Sequence, residues 1–66
     1  MEKEEILLSD ADGRVITDYI NLYPPGIPLL IPGERINKEH ITLIENYLAK
    51  DMHVQGINNG NIWVCS

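Results

Sequence analysis

Cysteine is nearly absent from this chain: Cys65 is the only one in 66 residues. No intrachain disulfide can staple the fold, and no cysteine-based zinc quartet can form. The usage suits a reducing, cytoplasmic setting. Basic residues are also scarce, five against ten acidic ones, for a net charge of −5 at neutral pH. A nucleic-acid binder would carry a basic patch, so that class is set aside. The acidic balance aids solubility and permits attraction of cationic small molecules. No apolar run reaches membrane length, and Met1-Glu2-Lys3-Glu4-Glu5 is too acidic for a signal peptide. There is no Asn-x-Ser/Thr sequon, no internal repeat and no low-complexity segment. What remains is one small globular domain over residues 1–66 with an ordinary apolar content of 44%. At this length its core is modest and its stability marginal.

All four prolines and two of the five glycines fall in Tyr23-Pro24-Pro25-Gly26-Ile27-Pro28-Leu29-Leu30-Ile31-Pro32-Gly33-Glu34. Proline fixes φ, removes a backbone donor and pushes the preceding residue toward extended conformations. Tyr23, Pro24, Ile27 and Ile31 each precede a proline, so a helix is excluded here. The segment is apolar, unlike a flexible linker. It reads as a rigid extended ribbon that ends in a carboxylate. Leu29-Leu30-Ile31 can form a short strand, and because Pro28 and Pro32 bracket it, any pairing must be short or at an edge.

Around the ribbon the pattern is α+β, with short strands, one main helix and a C-terminal β-hairpin. Residues 1–5 are polar and are expected to fray. Ser9–Gly13 reads as a turn. Alternation from Arg14 predicts a strand at about 14–21, with Ile16, Ile20 and Leu22 on one side. Asn37 can cap a helix over about 38–51, with Glu39 in its first turn. Ile36 and Ile41 have the spacing of a hydrophobic staple. Ile41, Ile44, Leu48 and Met52 form the apolar stripe, widened by Leu43 and Tyr47. Asn59-Gly60, between the apolar runs 54–57 and 62–65, predicts a hairpin, because a type I′ turn needs φ > 0 twice.

Candidate sites are few. Glu34 on its rigid loop suits a cationic ligand group, but also suits a solvated position near a helix N-terminus. Tyr23 can stack on a ligand or pack its ring on the neighbouring prolines. His40, His53 and Cys65 match no compact zinc motif, and Asp10-Ala11-Asp12-Gly13 lacks the further ligands of a calcium loop, so no metal site is expected. No nucleophile–base pair and no phosphate-binding glycine loop occurs. Lys3, Lys38 and Lys50 lie in polar contexts, unlike a buried Schiff-base lysine. From these residues alone the chain does not read as an enzyme.

The Tyr-Pro-Pro-Gly-Ile-Pro, Leu-Leu-Ile and Pro-Gly-Glu pieces of the ribbon resemble the bacterial ornithine/lysine/arginine decarboxylases, fold type I enzymes that use pyridoxal phosphate. The resemblance runs from about residue 7 to residue 56, taking in Gly13-Arg14-Val15, Tyr19-Ile20 and the Ile36–Leu48 region. Members of that family are much longer, and the motif falls in their C-terminal part, after the cofactor domain. The resemblance therefore implies a C-terminal fragment of a larger decarboxylase, with the cofactor lysine absent from this segment. It implies removal of the α-carboxylate of arginine, lysine or ornithine on the pathway to polyamines. It places Glu34 near the distal cation of the substrate, with Tyr23, Pro24, Pro25, Gly26, Pro28, Pro32 and Gly33 as the supporting loop. Expected partners are the rest of the parent enzyme, a basic amino acid and further copies in a homo-oligomer, with no nucleic acid and no membrane. The alternative is a protein-interaction module that docks its Pro24–Pro28 stretch in an aromatic groove.

Overall fold

The computed structural model describes residues 2–23 and 26–66. In chain order it forms β1 (Lys3–Leu7), a 3-10 turn (Leu8–Asp10), β2 (Ile20–Tyr23), β3 (Ile27–Leu30), α1 (Lys38–Ala49), β4 (His53–Gln55) and β5 (Asn61–Cys65). Strands β1 and β5 pair antiparallel, while β3, β2 and β4 make a second antiparallel sheet in that order. The α+β expectation holds.

Contrary to the expectation of fraying over residues 1–5, Lys3–Glu5 are paired as part of β1. Lys3 to Leu7 runs in register with Cys65 to Asn61 and closes one edge of β5. Side chains reinforce the pairing. Lys3 sits 5.1 Å from the centre of the Trp63 ring, and Arg14 donates to Glu4 at 2.5 Å and to the Cys65 carbonyl at 2.9 Å.

The strand expected at about 14–21 divides in two. Residues 14–17 pair on both sides: Val15 opposes Arg35 and Ile16 opposes Val64. Cys65 N–H donates to the Val15 carbonyl at 2.8 Å, and Thr17 N–H donates to Trp63 at 3.1 Å. The chain bends at Asp18 and enters the other sheet as β2. The alternation nonetheless identifies the inner face, since Ile16, Ile20 and Leu22 are all buried.

Strand β3 lies at an edge, as its proline requires. Ile20 pairs with Leu30 and Asn21 with Pro28, so Leu29 is left as a bulge. The strand includes Pro28, where the sequence suggested only the proline-free 29–31 stretch. Pro24 and Pro25 lie outside the described residues.

Helix α1 starts where its cap predicts. Asn37 Oδ1 accepts from His40 N–H at 2.9 Å, and His40 Nδ1 accepts from Asn37 N–H at 3.1 Å. This is a capping box with histidine in the usual Glu or Gln place. The flanking Ile36 and Ile41 are both buried. The helix stops at Ala49, two residues short of the expected 51. Asp51 turns left-handed at φ 58. Its N–H donates to the Leu48 carbonyl, and Met52 N–H donates to Tyr47, so the last carbonyls are satisfied. The buried stripe is Ile41, Ile44 and half-buried Tyr47; Leu43 and Leu48 lie within the helix but stay exposed, and Met52, beyond its end, is exposed too. It packs over β3 and β4.

The Asn59-Gly60 turn forms with φ of 52 and 79, and Asn58 and Asn61 exchange both backbone bonds. No hairpin ladder grows from it. Strand β4 leaves for β2 and β5 for β1, so the turn joins two sheets. Each strand satisfies its backbone against a distant partner instead of its sequence neighbour. The core joins both sheets, with Ile16, Ile20, Leu30, Ile36, Ile44, Ile62 and Val64 fully buried.

Gly56, at φ 97, follows β4 and lies against Tyr19 and Ile20 of the crossover. A Cβ there would overlap the Tyr19 carbonyl oxygen. Gly56→Ala is expected to cost about 3 kcal/mol, combining overpacking with left-handed strain. Gly60→Ala meets no atom within 4 Å and should cost only about 1 kcal/mol. Urea unfolding followed by circular dichroism checks both; equal losses would refute the clash at Gly56.

Candidate functional site

The end of the ribbon is built by main-chain pairing. Gly13 N–H donates to Ile36 and Ile36 N–H to Arg14, at 2.8 and 2.7 Å. Gly33 N–H donates to the Ile16 carbonyl at 2.8 Å, and Ile16 N–H donates to Glu34 at 2.9 Å. The Arg35 guanidinium adds a bond to the Gly13 carbonyl at 2.6 Å. Residues 33–36 are thus laced onto 13–16 along their length.

Ile31-Pro32-Gly33-Glu34 is a tight turn, closed by Glu34 N–H to the Ile31 carbonyl at 3.1 Å. Gly33 has φ 95, which is the geometry of the third residue of a type II turn, with proline before it. The half-buried Glu34 then folds back: its Oε1 accepts Ile31 N–H at 2.8 Å. Among the described residues the ion pairs are Lys3–Asp18 and Arg14–Glu4, and no cation pairs with Glu34. The carboxylate is therefore neither freely solvated nor neutralised. It is oriented by one amide and retains acceptor capacity on its second oxygen. The sequence did not reveal the Ile31 bond. The signal was present in the Pro-Gly pair flanked at i and i+3 by Ile31 and Glu34.

Tyr23 is half exposed, with its ring edge close to Gly26: a Cβ on that glycine would stand 3.4 Å from the ring. Whether the ring also meets Pro24 and Pro25 falls outside the described residues. Tyr19, Ile27 and Ile31 are exposed as well, so the ribbon and the crossover before it present an apolar surface. Pro28 is engaged in β3, which leaves less of the ribbon for polyproline docking.

The other candidates do not converge. His40 is spent on the helix cap, His53 is exposed on β4, and Cys65 is half-buried in β5. Among the described residues no three metal-ligating side chains come together. A depression of about 380 Å³ lies along α1, lined by Lys38, Glu39, Thr42, Leu43 and Asn46. One helix supplies all of its lining, so it has no opposing wall.

The C-terminal domain family of Orn/Lys/Arg decarboxylases matches residues 1–58. The chain belongs to that family. The arginine decarboxylase of Bacillus subtilis (strain 168) is 47% identical over 53 residues, covering 80% of this chain and 11% of the relative. The constitutive lysine decarboxylase of Escherichia coli (strain K12) is 48% identical over 44 residues, covering 67% of this chain and 6% of the relative. The solved structure of the E. coli constitutive lysine decarboxylase superposes with a TM-score of 0.71 at 31% identity, over 98% of this chain and 11% of that one. The matches thus span only 6% to 11% of the length of these decarboxylases.

A pyridoxal phosphate site needs a lysine amine facing an enclosed pocket, with groups for the phosphate and the ring nitrogen. Lys3, Lys38 and Lys50 are all exposed in this domain. Lys3 is engaged with Asp18 and Trp63. The residues present do not fit that group.

Proposed function

We propose that this domain is the C-terminal part of a longer decarboxylase of arginine, lysine or ornithine, and that Glu34 receives the distal cation of the substrate. One observation carries this reading: a half-buried carboxylate, oriented by the Ile31 amide, with no cationic partner among the described residues. A substrate ammonium or guanidinium would complete it with a charge-assisted hydrogen bond. The family membership supports the reaction class. In the full-length decarboxylase carrying this segment, Glu34→Gln should lower kcat/KM for the true substrate by about 10- to 100-fold, the worth of one charged hydrogen bond. Steady-state kinetics on arginine, lysine and ornithine check this, and an unchanged enzyme would return Glu34 to a purely structural role.

In this reading pyridoxal phosphate is held elsewhere in the enzyme and supplies the electron sink for decarboxylation when bound. The domain contributes a wall, and alone it is inactive. The 66-residue chain should therefore form no saturable, single-site cofactor adduct, and borohydride should trap only the scattered labelling that exposed lysines such as Lys3, Lys38 and Lys50 give. Absorbance and mass measurement after reduction would expose a contrary result.

The exposed Tyr19, Tyr23, Ile27 and Ile31 support a role for this surface in contact with the rest of the enzyme and in its oligomer. Separated from that enzyme, the chain should self-associate. Sedimentation showing a strict monomer at millimolar concentration would contradict this.

A further inference from the structure

Building on the reading of Glu34 as the group that meets the distal cation, we propose that the Ile31–Glu34 turn aims this carboxylate and that Gly33 is its positioning residue. A glutamate on an ordinary loop has three side-chain torsions to lose when it binds a ligand. Here one oxygen is already committed to Ile31 N–H at 2.8 Å, while the turn's own bond, Glu34 N–H to the Ile31 carbonyl, is 3.1 Å. Two bonds between the same residue pair fix where the second oxygen points. Pre-organisation of this kind reduces the entropy lost on binding.

The setting of the turn rests on its two central residues. Pro32 has a fixed φ. Gly33 holds φ 95, a conformation that side chains strain. Yet a Cβ on Gly33 would meet nothing within 4 Å. Glycine is therefore needed here for backbone angle and not for room. Beyond the turn, Gly33 N–H and the Glu34 carbonyl are both tied to Ile16, so the base is anchored. A side chain at Gly33 would relax the turn where it is free to move, at Ile31 and the Glu34 carboxylate, and leave the core intact.

The test compares substrates in the full-length decarboxylase carrying this segment. One is the basic amino acid it prefers; the other is a neutral isostere of equal length. Gly33→Ala should lower the ratio of their kcat/KM values about five- to tenfold, through strain of the left-handed residue. Gly33→Asn, which tolerates that region, should restore much of the ratio. If Gly33→Ala slows both substrates equally, Gly33 only supports the fold and the proposal falls. If instead Glu34→Gln leaves the ratio unchanged, the substrate reading itself fails. In the 66-residue chain, the Ile31 amide should be protected from hydrogen exchange. That protection should survive Glu34→Gln, whose amide oxygen still accepts, and vanish in Glu34→Ala. Protection that persists in Glu34→Ala would overturn the aiming bond even if the Gly33 variants failed to fold.

Discussion

Residues 13–17 are bonded on both sides, to 33–36 along one edge and to the end of β5 along the other. Neither flank is long enough to count as a regular strand pair, yet the arrangement depends on this lacing. It ties the β1–β5 pair to the ribbon, and the ribbon leads into α1, which covers the second sheet. Side chains follow the same path. Ile16 from the central stretch, Ile36 from one flank and Val64 from the other are all fully buried. A chain with no disulfide and a small core gains its coherence from segments that satisfy backbone groups in two directions at once.

The same lacing explains how an apolar proline ribbon can end in a defined carboxylate. Proline stiffens the ribbon but does not aim it. Aim comes from anchoring residues 33–36 to 13–16 and then reversing the chain through Pro32-Gly33. The Glu34 side chain closes onto Ile31 within that reversal. Tyr23, Ile27 and Ile31 along the same ribbon stay exposed.

Local features were read correctly where the forces are local. The Asn37 cap and the left-handed Asn59-Gly60 turn each depend on residues within a few positions. The confinement of Pro28 to an edge followed from its missing N–H. Histidine at the third helical position was not anticipated as the capping-box partner, because its Nδ1 substitutes for a carboxylate or amide oxygen that the pattern normally supplies. The helix end was placed late because an aspartate, not a glycine, occupies the left-handed position. The expected hairpin failed for a different reason: the turn existed, but its two strands found longer-range partners.

The sequence by itself determined the α+β class, the helix start, the inner face of the 16–22 alternation, the stiffness of the ribbon and the family to which it is similar. These follow from φ restrictions, capping and side-chain period, which act over short separations. Only the tertiary structure decided that Lys3–Leu7 pair with the C-terminal strand, that the 14–21 stretch serves two sheets, and that Glu34 is held by its own turn with no cation paired to it among the described residues. Strand partnership and the fate of a polar side chain depend on which distant backbone edges are left open, and that is settled only when the whole chain competes for them.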